Sequence, residues 1–495
     1  MPEMFRNFID GEWTESEGGT FENRNPARAD EVIGLFPRST ADDVERAVAS
    51  ARRGFERWRR VPAPERGLVM QKAGDLMVER KEELARVQTR EMGKVLEETR
   101  GDVQEAIDTA YYAASEGRRL FGRTVPSELP DKWAMSYRRP IGVFGIITPF
   151  NFPTAIPSWK MFPALLCGNA VVFKPAEDVP RSADLFVEIL LEAGVPPECV
   201  QLVHGPGETV GKAIVEHPEV DGISFTGSTA TGSLIAAAAG RMHKRVSLEM
   251  GGKNAQIVLP DAPMDLALDG VLWGAFGTTG QRCTATSRLL LHRDIHDEFV
   301  ERLLGQVGDL TLGDGLEEGT DVGPLINAAA LGKVEKYVGI AREEGCEIAC
   351  GGKRPEEASL SGGHFFEPTV LLGVEPGMRV EQEEIFGPVL SVVAFDDLDE
   401  AIRINNDVEY GLSSALYTSD VGAAFRAIER LDNGITYVNA PTIGAEAHLP
   451  FGGVKGTGNG HREGGWEVYE FYTETKVAYV DYSGRLQRAQ IDVSW

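Results

Sequence analysis

A single cysteine stands in a segment suited to nucleophilic chemistry. Cys283 lies within Gly-Thr-Thr-Gly-Gln-Arg-Cys-Thr-Ala, residues 277–285, where glycine lets the backbone approach a bound ligand closely. A cysteine attacks as a thiolate, and a free thiol is only a few per cent thiolate at neutral pH. A nucleophilic Cys283 therefore needs a base, an oxyanion site and a cofactor from elsewhere in the chain. The alternative is that Cys283 is a small apolar residue in a buried turn.

Two polar residues are candidates for the base and the oxyanion site. Glu249 ends a short apolar strand in Ser-Leu-Glu-Met-Gly-Gly-Lys-Asn, and the two glycines leave room for water or a ligand. Asn151, in Thr-Pro-Phe-Asn-Phe-Pro, can donate an amide N–H to an oxyanion. A solvated strand-end carboxylate and ordinary turn chemistry are the alternatives, because only the fold decides whether either residue reaches Cys283.

Two segments suit a nucleotide. Phe225-Thr-Gly-Ser-Thr follows a strand and opens a helix, where backbone N–H groups can bind a pyrophosphate or simply cap the helix. Lys174 and Glu177 follow another strand, and the Glu177 carboxylate can accept from both adenosine-ribose hydroxyls. It would also repel a 2′-phosphate, which favours NAD over NADP. The nearest approach to G-x-G-x-x-G, from Gly205 through Gly207 to Gly211, is one residue too long for the standard motif.

The pattern of strands and helices predicts an α/β fold that would position these groups. Between residues 141 and 239, short β-type runs alternate with helices four times, which predicts a doubly wound parallel sheet with ligands at its carboxyl edge. Its predicted strands are 141–148, 170–173, 199–203 and 223–225. A second α/β region, residues 251–460, has predicted strands at 255–259, 289–291, 389–395, 414–418 and 436–439.

The flanking segments predict helices and a strand element. A helix begins after Thr40, which forms a variant capping box with Asp43, and a long helical region covers residues 64–120 with joints at Gly93 and Gly101. Residues 121–140 suit a projecting hairpin. The alternating run in residues 471–482 predicts a strand without a local partner, one that could complete another subunit's sheet.

The composition argues against several classes of partner. Acidic residues outnumber basic ones by 76 to 50 among 495, so the negative surface disfavours nucleic acid and anionic membranes. No run approaches the roughly 18 apolar residues of a membrane span, and the first residues lack an apolar signal core. Five cysteines, an odd number, suit a reducing compartment. We expect a cytoplasmic protein that binds small molecules and holds no metal.

Taken together, seven motifs resemble the aldehyde dehydrogenase superfamily in order and rough spacing, and the resemblance covers residues 7–482. The motifs are Phe150-Asn-Phe-Pro153, Phe173-Lys-Pro-Ala-Glu177, Phe225-Thr-Gly-Ser-Thr229, Leu248-Glu-Met-Gly-Gly-Lys-Asn254, Gly280-Gln-Arg-Cys283, Glu384-Ile-Phe-Gly-Pro388 and Pro450-Phe-Gly-Gly453.

The resemblance implies a mechanism. Cys283 would attack the aldehyde carbon, and Asn151 with the Cys283 backbone N–H would form the oxyanion hole. After hydride transfer to a nicotinamide, Glu249 would activate the water that hydrolyses the thioester. Lys160 and Glu463 match positions of a proton relay from that base, although both could equally be surface charges.

The resemblance also implies the cofactor site and the domains. The cofactor-binding positions would be Thr148, Pro149, Phe150, Lys174, Glu177, Gly207, Gly211, Phe225, Thr226, Gly227, Ser228, Gly251, Glu384 and Phe386. Residues 1–120 and 141–250 would form the NAD-binding domain, 251–460 the catalytic domain, and 121–140 with 461–495 an oligomerisation element. The protein would then be a homodimer or a homotetramer.

The substrate is less defined. The segments 100–108, 277–283 and 482–490 look closest to the antiquitin-like branch, which oxidises aminoadipate semialdehyde, and Arg282 and Glu105 could pair with the carboxylate and amine of such a substrate. The motifs that begin at Met250 and Pro450 depart toward the wider superfamily. Arg282 and Arg100 would also suit succinic or 2-oxoglutaric semialdehyde. Acyl transfer to coenzyme A and a non-catalytic scaffold are further alternatives; the presence of Glu249 argues against the first.

Overall fold

Two seven-stranded, mainly parallel sheets organise the molecule. The structure, a computed structural model, describes residues 2–492. The first sheet has strands in the order Arg245–Glu249, Gly222–Thr226, Val143–Ile147, Ala170–Lys174, Val200–Leu202, Asn7–Ile9 and Glu12–Thr14. The first five strands are parallel, and the last two add antiparallel at the edge. The predicted doubly wound sheet is confirmed, with Arg245–Glu249 as a fifth parallel strand.

Helices cover both faces of this sheet, and one predicted joint between them is wrong. The helices are Ala41–Trp58, Ala63–Glu79, Lys81–Met92, Leu96–Glu116, Ala155–Leu166, Pro180–Ala193, Lys212–Glu216 and Thr229–Arg241. Gly93 does end a helix, with φ of 90°. Gly101 lies inside Leu96–Glu116, where its position faces open space and the helix tolerates the cost of about 1 kcal/mol relative to alanine. The other break comes at Arg80.

The second sheet carries the segment that contains Cys283. Its strand order is Glu347–Cys350, Thr369–Leu372, Val389–Phe395, Thr286–His292, Asn254–Val258, Ser413–Tyr417 and Ile435–Val438, and only the first strand is antiparallel. Its helices are Met264–Phe276, His296–Gly308, Ala328–Glu343, Arg379–Gln382, Leu398–Asn406 and Val421–Arg430. All five strands predicted for this region are present: 389–395 has the predicted bounds, and the bounds of the other four are shifted by one to three residues.

A three-stranded antiparallel sheet lies apart from these two. The predicted hairpin is formed by Thr124–Pro126 and Lys132–Pro140, and the strand Thr473–Asp481 pairs with Lys132–Pro140 along nine residues. This last strand has no partner close to it in sequence, as expected, but its partner belongs to the same chain, so its pairing does not require another subunit. Small sheets complete the fold: Glu3–Met4 with Arg28–Pro37 and Thr20–Asn25, and Tyr410–Gly411 with Val454–Lys455.

The buried apolar side chains follow the two large sheets. One core draws on residues 8–250 together with 468–472, and two adjoining cores draw on residues 255–431. The domain limits stated above remain predictions, and residues 493–495 of the predicted oligomerisation element lie outside the described residues. Among residues 2–492, no helix is long and apolar enough to cross a membrane.

Candidate active site

One cavity joins the carboxyl edge of the first sheet to the amino edge of the second. It has a volume of about 820 Å³, and its lining includes Cys283, Glu249 and Glu463 as well as both predicted substrate residues, Arg282 and Glu105. Glu249 ends a strand of the first sheet, whereas Cys283 precedes the strand Thr286–His292 of the second. The fold therefore brings together residues that the sequence separates.

The turn that precedes Cys283 has an unusual backbone. Thr278 and Thr279 have φ values of 52° and 57°, and Gly280 continues the left-handed course at 66°. A β-branched residue in this region is a conformational outlier that costs on the order of 1–3 kcal/mol. Gly280 is required by packing as well, because a Cβ there would lie 2.2 Å from the Gly387 carbonyl oxygen.

Hydrogen bonds hold this turn. The Thr278 backbone N–H donates to Glu98 Oε1 at 2.7 Å, and Arg282 Nη2 donates to the same oxygen at 3.1 Å. Arg282 Nε donates to Thr278 Oγ1 at 2.8 Å, and the guanidinium lies 4.8 Å from the ring centre of Trp273. The Arg282 charge is thus already balanced by Glu98, a residue that we did not predict.

Cys283 is fixed from its other side by the Gly-Gly segment. Asn254 Nδ2 donates to the Cys283 carbonyl oxygen at 2.7 Å, and a Cβ on Gly252 would lie only 2.4 Å from that oxygen. Burial raises the pKa of the thiol to about 12, with Glu384 and Glu249 adding to the rise. The backbone N–H groups of Cys283 and Thr284 face the sulfur and act in the opposite direction. The resting side chain is therefore a thiol that needs a proton acceptor.

Asn151 lies next to the nucleophile segment, as predicted. Its Nδ2 donates to the Gln281 carbonyl oxygen at 3.0 Å, and its side chain is buried. A primary amide nitrogen carries two hydrogens, so a second N–H is left for an oxyanion. The helix Ala155–Leu166 begins four residues later and anchors the segment.

Glu249 carries a buried carboxyl at the end of its strand. Neither of its oxygens forms a hydrogen bond of normal geometry with any residue in 2–492, although the Gly453 backbone N–H lies near enough to lower its pKa slightly. Burial, reinforced by the charge of Glu463, holds the pKa of Glu249 well above its ordinary value. An unsatisfied buried carboxyl costs stability, which indicates a functional reason for its position.

Lys160 and Glu463 form a buried ion pair behind Glu249. Lys160 Nζ contacts Glu463 Oε1 and also donates to Ser224 Oγ at 3.0 Å. Both side chains are less than 5% exposed, so the alternative that they are surface charges is wrong. Both charges act on the pKa of Glu249, Glu463 raising it and Lys160 lowering it.

The predicted nucleotide residues gather at the carboxyl edge of the first sheet. Lys174 ends its strand and donates to Glu177 Oε2 at 2.7 Å, and the Gly207 backbone N–H donates to Glu177 Oε1 at 3.2 Å. The segment Gly207–Gly211 opens the helix Lys212–Glu216. Thr148, Pro149 and Phe150 follow the neighbouring strand Val143–Ile147 directly.

A second group of predicted cofactor residues surrounds a helix terminus. Ser228 caps the helix Thr229–Arg241, and Gly227 packs so closely on Phe225 that a Cβ would lie 2.5 Å from the ring. Thr226 Oγ1 is buried and has no hydrogen-bond partner within the described part of the chain. An orphaned hydroxyl beside a helix N-terminus fits a polar, anionic ligand such as a dinucleotide.

Glu384 and Phe386 approach the same region from the second sheet. The Gly252 backbone N–H donates to Glu384 Oε1 at 2.9 Å, and a Cβ on Gly251 would lie 2.6 Å from Glu384 Oε2. Burial raises the pKa of Glu384. Phe386 has φ of 61° and packs edge-on against Phe150 with ring centres 5.9 Å apart. Two predicted cofactor residues from separate motifs, Phe150 and Phe386, are thus in contact, and Glu384 lies against the Gly251–Gly252 segment.

The sequence did not identify two residues that contact the Cys283 segment, and it assigned one arginine to the substrate site that lies outside the cavity. Glu98 lies on a helix rich in glutamate, and Asn254 was noted only as part of a motif, so no local pattern marked their contacts with the Cys283 segment. Arg100 is on the outer face of the helix Leu96–Glu116, where it binds Glu82 at 2.8 Å. It does not line the cavity, so its predicted contact with a dicarboxylic substrate is not supported.

Comparisons with known proteins agree with this geometry. A model of the aldehyde dehydrogenase family matches residues 13–478. The alpha-ketoglutaric semialdehyde dehydrogenase of Bacillus subtilis (strain 168) is 40% identical over 477 residues, which cover 96% of this chain and 98% of the relative. The NADP(+) succinate-semialdehyde dehydrogenase of Escherichia coli (strain K12) is 38% identical over 476 residues, covering 96% of this chain and 97% of the relative.

A solved structure shows the same fold. The crystal structure of betaine aldehyde dehydrogenase from Staphylococcus aureus in complex with NAD+ has a TM-score of 0.95 and 38% identity, and covers 97% of this chain and 96% of that chain. The predicted superfamily and fold are confirmed. The chain belongs to the aldehyde dehydrogenase family and is an NAD(P)-dependent aldehyde dehydrogenase.

Proposed function

We propose that this enzyme uses NAD to oxidise a semialdehyde that carries a carboxylate, through a thioester on Cys283. The observation that carries the proposal is the single cavity that holds a thiol, an unpaired buried carboxyl and one arginine, Arg282. The thiol forms the covalent bond, the carboxyl activates water, and the arginine faces the distal end of the substrate.

In the first half-reaction, the Cys283 sulfur bonds to the aldehyde carbon. The thiol proton passes to water in the cavity and on to solvent, and the oxyanion that forms accepts from the second N–H of Asn151 and from the Cys283 backbone N–H. The bound nicotinamide supplies the hydride acceptor, so that the carbon is oxidised to a thioester. Asn254 keeps the Cys283 backbone in place during this step through its bond to the carbonyl oxygen.

In the second half-reaction, Glu249 takes a proton from the water that attacks the thioester. The raised pKa of Glu249 makes it a stronger base than an exposed carboxylate once it is ionised. The Lys160–Glu463 ion pair lies next to Glu249 and accepts from it, or stabilises on it, the proton taken from water. Transfer of the acyl group to coenzyme A would not use this base, so hydrolysis is the better supported outcome.

Glu177 is the residue that we propose to select NAD. The Lys174 and Gly207 contacts hold its carboxylate at the strand end, where the adenosine ribose would lie. Its charge would repel a 2′-phosphate. Glu177→Gln is expected to reduce the preference for NAD over NADP, so the ratio of kcat/KM for NADP to kcat/KM for NAD should rise several-fold. An unchanged ratio would remove this role from Glu177.

The polar groups of the cavity favour a carboxylate on the substrate. Arg282 uses Nε and Nη2 for the turn, which leaves Nη1 for a ligand. The Trp159 indole N–H lies at the cavity wall and has no hydrogen-bond partner in residues 2–492. Burial and the charge of Asp102 raise the pKa of Glu105 to about 8, so at neutral pH Glu105 is mostly protonated and can donate to a carboxylate.

The names of the relatives point the same way, since two of them act on alpha-ketoglutaric and succinate semialdehydes. We propose a short dicarboxylic semialdehyde rather than an amino acid semialdehyde. A protonated Glu105 offers no charge to an ammonium group, whereas it complements Arg282 in binding a carboxylate.

A panel of aldehydes tests the function. Wild-type enzyme with NAD should form NADH fastest with succinic, glutaric or 2-oxoglutaric semialdehyde, at least tenfold faster in kcat/KM than with uncharged aldehydes of equal length. Cys283→Ala should abolish NADH formation and still bind NAD. Equal rates with uncharged aldehydes would contradict the substrate class, and turnover by Cys283→Ala would contradict the mechanism.

Glu105 provides a finer test of the substrate class. Its ionisation places a negative charge beside the substrate carboxylate, so KM for a semialdehyde acid should rise severalfold between about pH 7 and about pH 9. Glu105→Gln should remove that rise. KM for an uncharged aldehyde is the control and should stay level in both proteins. A rise that persists in Glu105→Gln would assign it to another group.

The third sheet suits an interface between copies of this chain. Trp133, Val477 and Tyr479 on its strands are each more than half exposed. We therefore propose a homodimer or homotetramer joined through residues 121–140 and the carboxyl-terminal segment. The free cysteines support the further proposal of a cytoplasmic location. Light scattering after size exclusion measures the mass of the oligomer, and Val477→Lys should lower that mass; a monomeric wild type would contradict the proposed oligomer.

A further inference from the structure

Glu98 links one layer of the fold to the turn that precedes the nucleophile. It lies in the first turn of the helix Leu96–Glu116, and only about 2% of its side chain is exposed. Its two carboxylate oxygens accept three hydrogen bonds: from the Thr278 backbone N–H at 2.7 Å, from Thr278 Oγ1 at 3.2 Å and from Arg282 Nη2 at 3.1 Å. No other carboxylate bonds to this turn in residues 2–492.

The turn needs such contacts because its backbone is unfavourable by itself. Two consecutive threonines in the left-handed region cost on the order of 1–3 kcal/mol each. Thr279 is held by its bond to the Gly323 carbonyl oxygen at 2.9 Å, but Thr278 is held by Glu98 and Arg282. Without Glu98, the Thr278 N–H would be buried with no acceptor, which adds roughly 1–3 kcal/mol.

A shift of this turn would move the reacting groups. The Gln281 N–H donates to the Thr278 carbonyl oxygen at 3.0 Å, and the Gln281 carbonyl oxygen accepts from Asn151 at 3.0 Å. Cys283 follows two residues later, and the backbone N–H groups of Cys283 and Thr284 face its sulfur. The position of Thr278 therefore sets both the oxyanion donor and the nucleophile.

We propose that Glu98 is a positioning residue of the reaction, whose carboxylate holds the left-handed turn Gly277–Gly280 and thereby aligns the Cys283 sulfur with Asn151. The inference rests on the proposed role of Cys283 as nucleophile. Glu98 touches neither the sulfur nor Asn151, and it acts through Thr278 and Arg282.

Two substitutions at Glu98 separate hydrogen bonding from charge. Glu98→Gln keeps an oxygen that can accept from the Thr278 N–H, whereas Glu98→Ala removes every acceptor. In stopped-flow measurements, the NADH burst is expected to slow at least tenfold in Glu98→Ala and less than threefold in Glu98→Gln. Glu79→Gln is the matched control, because Glu79 is an exposed glutamate at the end of the helix Ala63–Glu79 and does not line the cavity, and its burst should be unchanged.

A burst that is unchanged in Glu98→Ala would overturn the proposal, even if the melting temperature falls, since the role would then be structural only. Equal slowing by Gln and Ala would also overturn it, because charge rather than hydrogen bonding would be responsible. If Glu98→Ala does not fold, Thr278→Val tests the same contact: it removes Oγ1 and should slow the burst about threefold or more. An unaltered burst in that variant would count against the proposal.

Alkylation separates this proposal from the proposed function. Iodoacetamide labelling of the Cys283 peptide needs no aldehyde turnover, and Glu98→Ala should slow it at least threefold because the backbone amides no longer face the sulfur. An equal or faster rate would overturn the positioning role. Turnover by Cys283→Ala, by contrast, would overturn the proposed function and leave the measured effect on alkylation intact.

Discussion

Two buried glutamates line the same cavity in opposite states. Glu98 accepts three hydrogen bonds and faces the Arg282 charge, whereas Glu249 has no hydrogen bond of normal geometry within residues 2–492. Folding normally satisfies buried polar groups, so Glu98 follows the general rule and Glu249 departs from it. The first is suited to holding backbone in place, and the second to exchanging a proton.

The difference teaches how the site divides its tasks. A nucleophile must be fixed, because a misplacement of about 1 Å can cost a hundredfold in rate. A base must instead be free to take a proton, and hydrogen bonds to its carboxylate would stabilise the ionised form and weaken it. The hydrogen bonds of Glu98 therefore hold the backbone near the nucleophile in place, and the lack of hydrogen bonds at Glu249 helps to keep its pKa raised.

The largest effect should come from removing the unpaired carboxyl. Glu249→Gln is expected to lower steady-state turnover about 100- to 1000-fold, because the amide cannot accept a proton from water. The first hydride transfer does not need this proton acceptor to the same degree, so a burst of NADH should remain in stopped-flow traces. Steady-state turnover equal to wild type would show that Glu249 is not the base.

A smaller effect should follow from changing the charge behind Glu249. Glu463 raises the pKa of Glu249, so Glu463→Gln should lower that pKa and leave the positive charge of Lys160 to act in the same direction. Under the proposed mechanism, deacylation requires ionised Glu249, so its rate should rise with pH. In the variant, the rise should occur at lower pH, with turnover at mildly acidic pH increased severalfold relative to the plateau. A profile displaced to higher pH would contradict the coupling.

The smallest effects, in stability, should have opposite signs at the two glutamates. The pKa of Glu249 is raised in the folded state, so its ionisation destabilises the fold as pH rises above the unfolded value of about 4.5. The melting temperature of Glu249→Gln relative to wild type should therefore increase with pH. Glu98→Ala should instead lower the melting temperature below that of wild type, because Arg282 and the Thr278 N–H lose their acceptor. A melting temperature of Glu249→Gln below that of wild type at every pH would contradict the opposite signs expected for the two glutamates.

Local patterns predicted much of this architecture. The alternation of β-type runs and helices predicted the parallel sheet. The glycines beside Glu249 and Cys283 predicted that the backbone approaches other groups closely, and the structure shows such approaches at Gly251 and Gly252, where a Cβ atom would clash. The predicted joint at Gly101 was wrong because a single glycine does not break a helix that is stabilised by packing against neighbouring helices. The partner of Thr473–Asp481 was missed because it lies more than 300 residues away in sequence.

The missed parts of the site are contacts that only the fold creates. Glu98 lies 180 residues from Thr278, and its helix contains several other glutamates, so no spacing distinguished it. The balance of the Arg282 charge depends on that same contact. The raised pKa values of Glu249 and Glu105 depend on burial, which residue type alone does not determine.

The central claim is that the acyl group rests on Cys283 until Glu249 activates water. The most direct measurement is mass spectrometry of Glu249→Gln after rapid mixing with NAD and a semialdehyde acid. We predict a mass increase equal to the acyl group, located on the peptide that contains Cys283, at a stoichiometry that matches the NADH burst. NADH formation without any adduct on that peptide would contradict the account.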